Sequence, residues 1–164
     1  MDRVHLRGAA ILFGSASVVF LFDRVTKLWA ERSLADAPID LVPGVLSLRF
    51  TSNSGGAFSL GQSAPWVFAG ASIAVSAAIA ATAFRHRDRA VAVALGLVLG
   101  GALGNLADRA IRGPGLSGRV VDFVDLHLWP VFNLADAAIV VGALLLAWSS
   151  VRAGGGAKEP VHDG

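Results

Sequence analysis

The chain has 164 residues, 54% of them hydrophobic and 16% charged, with a formal net charge of +2. Soluble domains carry roughly 25% charged residues, so this composition, with a mean hydropathy of +0.62, excludes an ordinary soluble domain and points to one membrane-embedded unit. There is no cysteine, which excludes disulfides, thiolate metal sites and a cysteine nucleophile, and no basic stripe with interleaved aromatics of the kind that binds nucleic acid.

A bilayer crossing needs about 20 apolar residues. Four stretches meet that length, at residues 8–29, 65–84, 90–109 and 131–151. Each is expected as a helix, because a lipid-exposed span must satisfy its backbone hydrogen bonds internally. The first follows Arg3 and Arg7 and could be read as a secretory signal. It runs on into Asp23-Arg24-Val25-Thr26-Lys27 without a convincing cleavage site, and three more spans follow, so it is expected to be retained. Asp23 and Lys27 stand four apart with the acid first, which puts them on one helix face. The plainer reading is an ion pair anchoring a helix end, with the lysine reaching for the interface; such a pair can still shape a site.

Between the first two spans, residues 45–51 partly alternate apolar and polar side chains and are bounded by Pro43-Gly44 and Ser54-Gly55-Gly56, which reads as a strand between turns. The turn Asn53-Ser54-Gly55-Gly56-Ala57-Phe58 is by itself a weak signal. The third span carries two stripes at spacing four, Gly96-Gly100-Gly104 and Gly101-Asn105-Arg109. Small residues so spaced let helices approach closely in lipid. That accounts for the glycines, but Asn105 in such a stripe needs a polar partner. Asp108 has Arg112 one turn away and is expected to be neutralised, while Arg109 points along the Asn105 stripe into the bundle. Residues 119–126 are rich in β-branched side chains and form a second extended candidate containing Asp122, with Asp125 as its rival. Asn133 and Asp136, three apart, are expected on one face of the fourth helix.

Lys and Arg are tied at seven on each side of the expected topology, but Arg85, Arg87 and Arg89 crowd one tight turn. That density places both termini in the cytoplasm and segments 30–64 and 110–130 outside. The fold expected is therefore a membrane α-helical one: four transmembrane helices with a small extracytoplasmic β-sheet region and a short outer loop or helix. Residues 1–152 are expected as a single integral membrane domain and 153–164, with three consecutive glycines, as a disordered cytoplasmic tail.

A carboxylate at membrane depth costs about 2.5–3.5 kcal/mol, which makes function the default reading of Asp122 and Asp136. Neither has a base on its own face nearby. If the two meet, one is protonated near neutral pH, because two close carboxylates do not both ionise cheaply. One then activates water as general base and the other donates a proton to the scissile carbonyl and later to the leaving amine. A metalloprotease would want His-Glu-x-x-His, whereas His5, His86, His127 and His162 are scattered; Ser54 and His127 have no telling spacing. Dinucleotide and P-loop fingerprints are absent. A proton-coupled transporter or channel is the non-enzyme alternative, since membrane carboxylates also relay protons. It calls for charges near the midplane, whereas these lie at the outward helix ends.

Taken in order, Asp23-Arg24-Val25-Thr26-Lys27, Asn53-Ser54-Gly55-Gly56-Ala57-Phe58, residues 100–109, Val120-Val121-Asp122-Phe123 and Phe132-Asn133-Leu134-Ala135-Asp136 resemble the motifs of lipoprotein signal peptidase (signal peptidase II) across nearly the whole chain. The resemblance implies a bacterial inner-membrane aspartic endopeptidase that removes signal peptides from diacylglyceryl-modified prolipoproteins, cutting before the lipidated cysteine. By position it implies Asp122 and Asp136 as the catalytic pair, Asn53, Asn105, Arg109 and Asn133 as polar residues lining the site, and Asp23 and Lys27 as supporting residues. It also implies no metal or organic cofactor, membrane lipids as surroundings, inhibition by globomycin-like cyclic peptides, and action as a monomer. Two departures stand out. Gly56 occupies a position where the family often has alanine, and only thirteen residues separate Asp122 from Asp136, so the outer element covering the site is expected to be short.

Overall fold

A computed structural model of the chain describes residues 3–54, 65–86 and 88–154. Helix α1 (Arg3–Ser33) leads into strands β1 (Ile39–Val42) and β2 (Leu46–Asn53); helices α2 (Pro65–Thr82) and α3 (Arg89–Ile111) follow, then a 3-10 turn (Pro114–Leu116), strand β3 (Val120–Asp125) and helix α4 (Leu134–Gly154). Helices α1, α3 and α4 are each long and apolar enough to cross a membrane, while α2 is a shorter apolar helix. The helices start and stop close to the expected spans, except that α1 is longer at both ends and α4 begins at Leu134 rather than Val131. Residues 155–164, expected as a disordered tail, lie outside the described residues, as does Gly56.

Helix α3 is the axis of the bundle and packs against α1, α4 and α2. Its small residues explain why. A Cβ on Gly96 would fall 2.6 Å from the Leu12 carbonyl oxygen, and one on Gly100 would fall 2.6 Å from that of Ala16, so this stripe seats α1. Gly101, on the neighbouring stripe, faces α4, where a Cβ would lie 2.5 Å from the Ala135 carbonyl oxygen. Gly142 of α4 answers it, with Ala94 and Val98 of α3 close against it. With no hydrophobic drive between helices in lipid, such backbone approach is what dispersion contacts require. The N-terminus of α3 is capped by Asp88, whose carboxylate accepts from Ala90 N (2.7 Å) and Val91 N (3.2 Å).

The sheet is antiparallel in the order β1-β2-β3. Strand β1 is a third strand beyond the two expected. It is exposed at every position and turns into β2 through Pro43-Gly44, where Gly44 takes φ 75°. The register sets Thr51 opposite Asp122 and Asn53 opposite Val120. The sheet is fastened to the end of α1 by a small cluster of Ala30, Leu34 and Phe123 with Leu48 and Val124, in which Trp29 meets Phe123 edge-on at 6.4 Å between ring centroids. Thus β3, which carries one candidate acid, is tied to α1.

If close approach at α3 holds the bundle together, Gly100→Ala should lower unfolding free energy by about 1–3 kcal/mol through overpacking. Gly14→Ala, where an added Cβ meets open space, should leave stability unchanged or slightly raised. Chaotrope unfolding of both variants in detergent checks this; equal stabilities would remove the packing argument.

Candidate active site

Asp122 lies in the middle of β3, buried, within the β-branched run that forms the strand. Asp136 lies in the first turn of α4. Asn133 is not on the face of that helix but caps it. Its Oδ1 accepts from Asp136 N (2.9 Å), while its own N–H donates to Asp136 Oδ2 (3.3 Å). This is a reciprocal capping arrangement, in which the acid three residues on completes the cap. An N-cap side chain is fixed by the backbone it serves, so Asn133 is held in place by the start of α4.

The thirteen-residue connection is short because it folds straight back. Phe132 rejoins β3 through three backbone bonds: its carbonyl accepts from Phe123 N (3.0 Å) and Val124 N (2.9 Å), and its N–H donates to Val124 O (3.1 Å). The excursion turns at His127, whose φ of 59° is unusual for a residue with a side chain. Asp125 accepts from His127 N (2.8 Å), and Ser47 Oγ lies 3.0 Å from His127 Nε2. Asp125 also pairs with Arg49. The rival acid is therefore engaged in holding the turn and is not among the residues lining the cavity below.

Two asparagines join the two acids. Asn133 Nδ2 donates to Asp122 Oδ1 at 2.7 Å and to Asn105 Oδ1 at 3.2 Å. Asn105 Nδ2 donates to Asp136 Oδ1 at 2.8 Å. Asn105 Oδ1 also accepts from Lys27 Nζ at 2.9 Å. Because lysine can only donate, the Asn105 oxygen must face it, and the Asn105 NH2 group must then face Asp136. Asn53 supplies a further hydrogen bond to Asp122. Among the described residues neither Asp122 nor Asp136 makes a salt bridge, in keeping with the expectation of two locally unpaired acids.

Both acids line one cavity of about 390 Å³, together with Asn53, Asn105 and Arg109. Phe68, Ala71 and Ser72 of α2 close one side and residues 129–132 another. Arg109 lies over the Phe68 ring at 5.8 Å and donates to Asn105 O at 3.3 Å, and its Nε has no hydrogen-bond partner among the described residues. Burial, followed by the charge of Asp136, pushes the Asp122 carboxyl up from its ordinary value to about 7, against the hydrogen bonds from Asn133 and Asn53. A carboxyl so placed can hold a proton while its neighbour is ionised.

Asp23 and Lys27 do not line this cavity. They sit beneath it, fully buried, as the expected ion pair at 2.8 Å. Asp108 is neutralised by Arg112 at 3.1 Å as expected, but it also pairs with Lys27 at 3.0 Å and with Arg24, and it accepts from Val121 N at 3.2 Å. That backbone contact joins elements distant in sequence and has no local signature. No cluster of three or more His, Cys, Asp or Glu able to hold a metal occurs among the described residues.

Comparison with known proteins gives a consistent picture. Residues 15–152 match the family model described as signal peptidase (SPase) II. The chain is 43% identical over 138 residues to a lipoprotein signal peptidase of Rhodococcus jostii, covering 83% of this chain and 70% of that protein. It is 42% identical over 141 residues to one from Pelotomaculum thermopropionicum, covering 84% and 90%. Its structure superposes with a TM-score of 0.76 on a bacterial membrane enzyme solved by the in meso method at 2.3 Å resolution, at 26% identity and over 91% of this chain and 92% of that one.

The raised Asp122 value has an observable consequence. Infrared difference spectra recorded across pH should show a protonated carboxyl band lost around pH 7, as the raised value of about 7 requires, and absent from Asp122→Asn. A band unchanged in that variant would assign the proton elsewhere.

Proposed function

The chain belongs to the signal peptidase II family, aspartic peptidases that remove signal peptides from prolipoproteins, and from that premise we propose that Asp122 and Asp136 are its catalytic pair. The observation that carries the proposal is their convergence, through Asn105 and Asn133, on one wall of a single cavity. Asp136 is the natural seat of the pair's negative charge. It lies at the N-terminus of α4, where the helix dipole favours an anion, and both of its oxygens accept hydrogen bonds. Asp122, buried and beside that charge, carries the proton.

The reaction then runs as general acid–base hydrolysis. A water between the carboxylates gives its proton to Asp136 as it attacks the scissile carbonyl, whose oxygen receives the proton of Asp122. Asp122, now ionised, takes a proton from the hydrated carbonyl as it collapses. Asp136 delivers its own to the leaving amine, and the C–N bond breaks. The pair then stands as it began, with Asp122 protonated and Asp136 ionised, and no further proton exchange is needed. Arg109, whose Nε is unpaired among the described residues, binds a backbone carbonyl of the substrate, and Asn53 orients Asp122.

The substrate is a prolipoprotein bearing a diacylglyceryl group, cut on the N-terminal side of the modified cysteine. It arrives laterally through lipid, its acyl chains remaining in the bilayer of a bacterial inner membrane while the peptide enters the cavity near the outer face. Both termini lie in the cytoplasm, residues 1–152 act as one unit and as a monomer, and globomycin-like cyclic peptides compete for the same cavity.

Asp122→Asn and Asp136→Asn should each lower the rate of prolipoprotein cleavage by about 10²–10⁴-fold, the usual worth of a general acid or base, with the protein still folded in the membrane. Asp125→Asn should remain active. A gel-shift assay with lipidated and unlipidated precursor reads both points, since only the lipidated form should be cut. An inactive Asp125→Asn beside an active Asp122→Asn would move the catalytic role to the other acid.

A further inference from the structure

Below the cavity, the Lys27 ammonium donates to Asn105 Oδ1 at 2.9 Å and is ion-paired with Asp23 Oδ2 at 2.8 Å and Asp108 Oδ2 at 3.0 Å. Lys27, Asp23 and Asp108 are each fully buried. Every one of these three acceptor groups also reaches the segment of one of the two acids. Asp23 Oδ1 accepts from Ala135 N at 3.1 Å, and Ala135 immediately precedes Asp136. Asp108 Oδ2 accepts from Val121 N at 3.2 Å, and Val121 immediately precedes Asp122. Asn105 Nδ2 donates to Asp136 itself. One cation thus stands behind the backbone of both acids, although it hydrogen-bonds to neither.

We infer that Lys27 is a positioning residue for the reaction, holding β3 and α4 in mutual register by fixing Asp108 behind Val121 and Asp23 behind Ala135. The inference rests on the assignment of Asp122 and Asp136 as the catalytic pair. The chemistry of the group supports it. An ammonium has three donors and no acceptor, so each of its three partners must turn an oxygen toward it. Lys27 therefore sets which way the Asn105 amide turns and draws the Asp23 and Asp108 carboxylates to one point. The two acids it holds are balanced further by Arg24 and Arg112 on Asp108, and Arg112 also pairs with Glu31. A buried ion pair is poor evidence for stability, since well-packed apolar groups often serve as well. Its retention is better explained by what it aligns.

The test compares Lys27→Met with the wild type in membranes or detergent, with Asp122→Asn as control. Misplacement by about an ångström costs on the order of 100-fold, so Lys27→Met should lose about that factor in kcat with KM nearly kept. Loss of folded protein alone could mimic the kcat effect, so the deciding readout is the Asp122 carboxyl band. Its midpoint should rise above about 7 in Lys27→Met from loss of the ammonium's own lowering charge, so the share due to position is read from the Asp108 variants, which keep Lys27. If Lys27→Met does not fold, Asp108→Asn and Asp108→Ala decide the matter. The amide keeps an oxygen for Val121 N–H and should retain most of the kcat, while Ala should lose it and shift the band. Lys27→Met with wild-type kcat and band, or equal behaviour of the two Asp108 variants, would overturn the positioning role. An active Asp122→Asn would instead overturn the catalytic assignment beneath it.

Discussion

An ammonium with no exposure to solvent is the constraint on which this molecule is built. Lys27 is fully buried in a chain otherwise designed for lipid, and an uncompensated charge there costs several kcal/mol. It must therefore be surrounded by oxygen, and the oxygens come from α1 itself (Asp23) and from α3 (Asn105, Asp108). The two helices can supply them only if their backbones nearly touch. Gly96 and Gly100 permit that approach earlier along α3, further from the cavity. Gly104 permits it at the site, where any side chain would run into the Asp23 carboxylate. The glycine stripe and the charge cluster are thus two parts of one requirement.

From that cluster upward the site is wired by groups whose direction is forced. Lys27 can only donate and the backbone N–H of Asp136 can only donate, so the Asn105 and Asn133 amides each have one permitted orientation. Their NH2 groups are then left for the acids: Asn105 for Asp136, Asn133 for Asp122. Asparagine suits this position better than a charged residue would. It crosses between the carboxylates without neutralising either.

Much of this was legible in the sequence. The spans follow from hydropathy, and the glycine stripes from spacing. The two acids stand out because no base lies near them, and the structure brings them to one cavity. What was hidden was hidden for physical reasons. Strand β1 is exposed at every position, so no buried face imposes an alternating pattern on it. Asn133 reads as a helix-face residue because i and i+3 are neighbours on a helix, but the same spacing also describes an N-cap and its partner. Asp108 reads as satisfied by Arg112, which it is, while its contact with Val121 N–H depends on where β3 comes to lie. Local pairing explains a charge without exhausting what it does.

The short connection between the acids follows the same logic. A thirteen-residue link seems too brief to bring a strand residue and a helix residue together and also build a wall over them. It suffices because the link is closed at its base, where Phe132 bonds back to Phe123 and Val124. One residue beyond that closure is Asn133, which already touches Asp122 and caps the turn holding Asp136. The relation between the acids is therefore set below the closure, and the chain above it is free to serve as wall, as Trp129, Pro130 and Val131 do. A longer excursion from the same base would change what covers the cavity without moving the carboxylates. Chemistry and enclosure are in this way assigned to separate parts of one short segment, with three backbone bonds as the boundary between them.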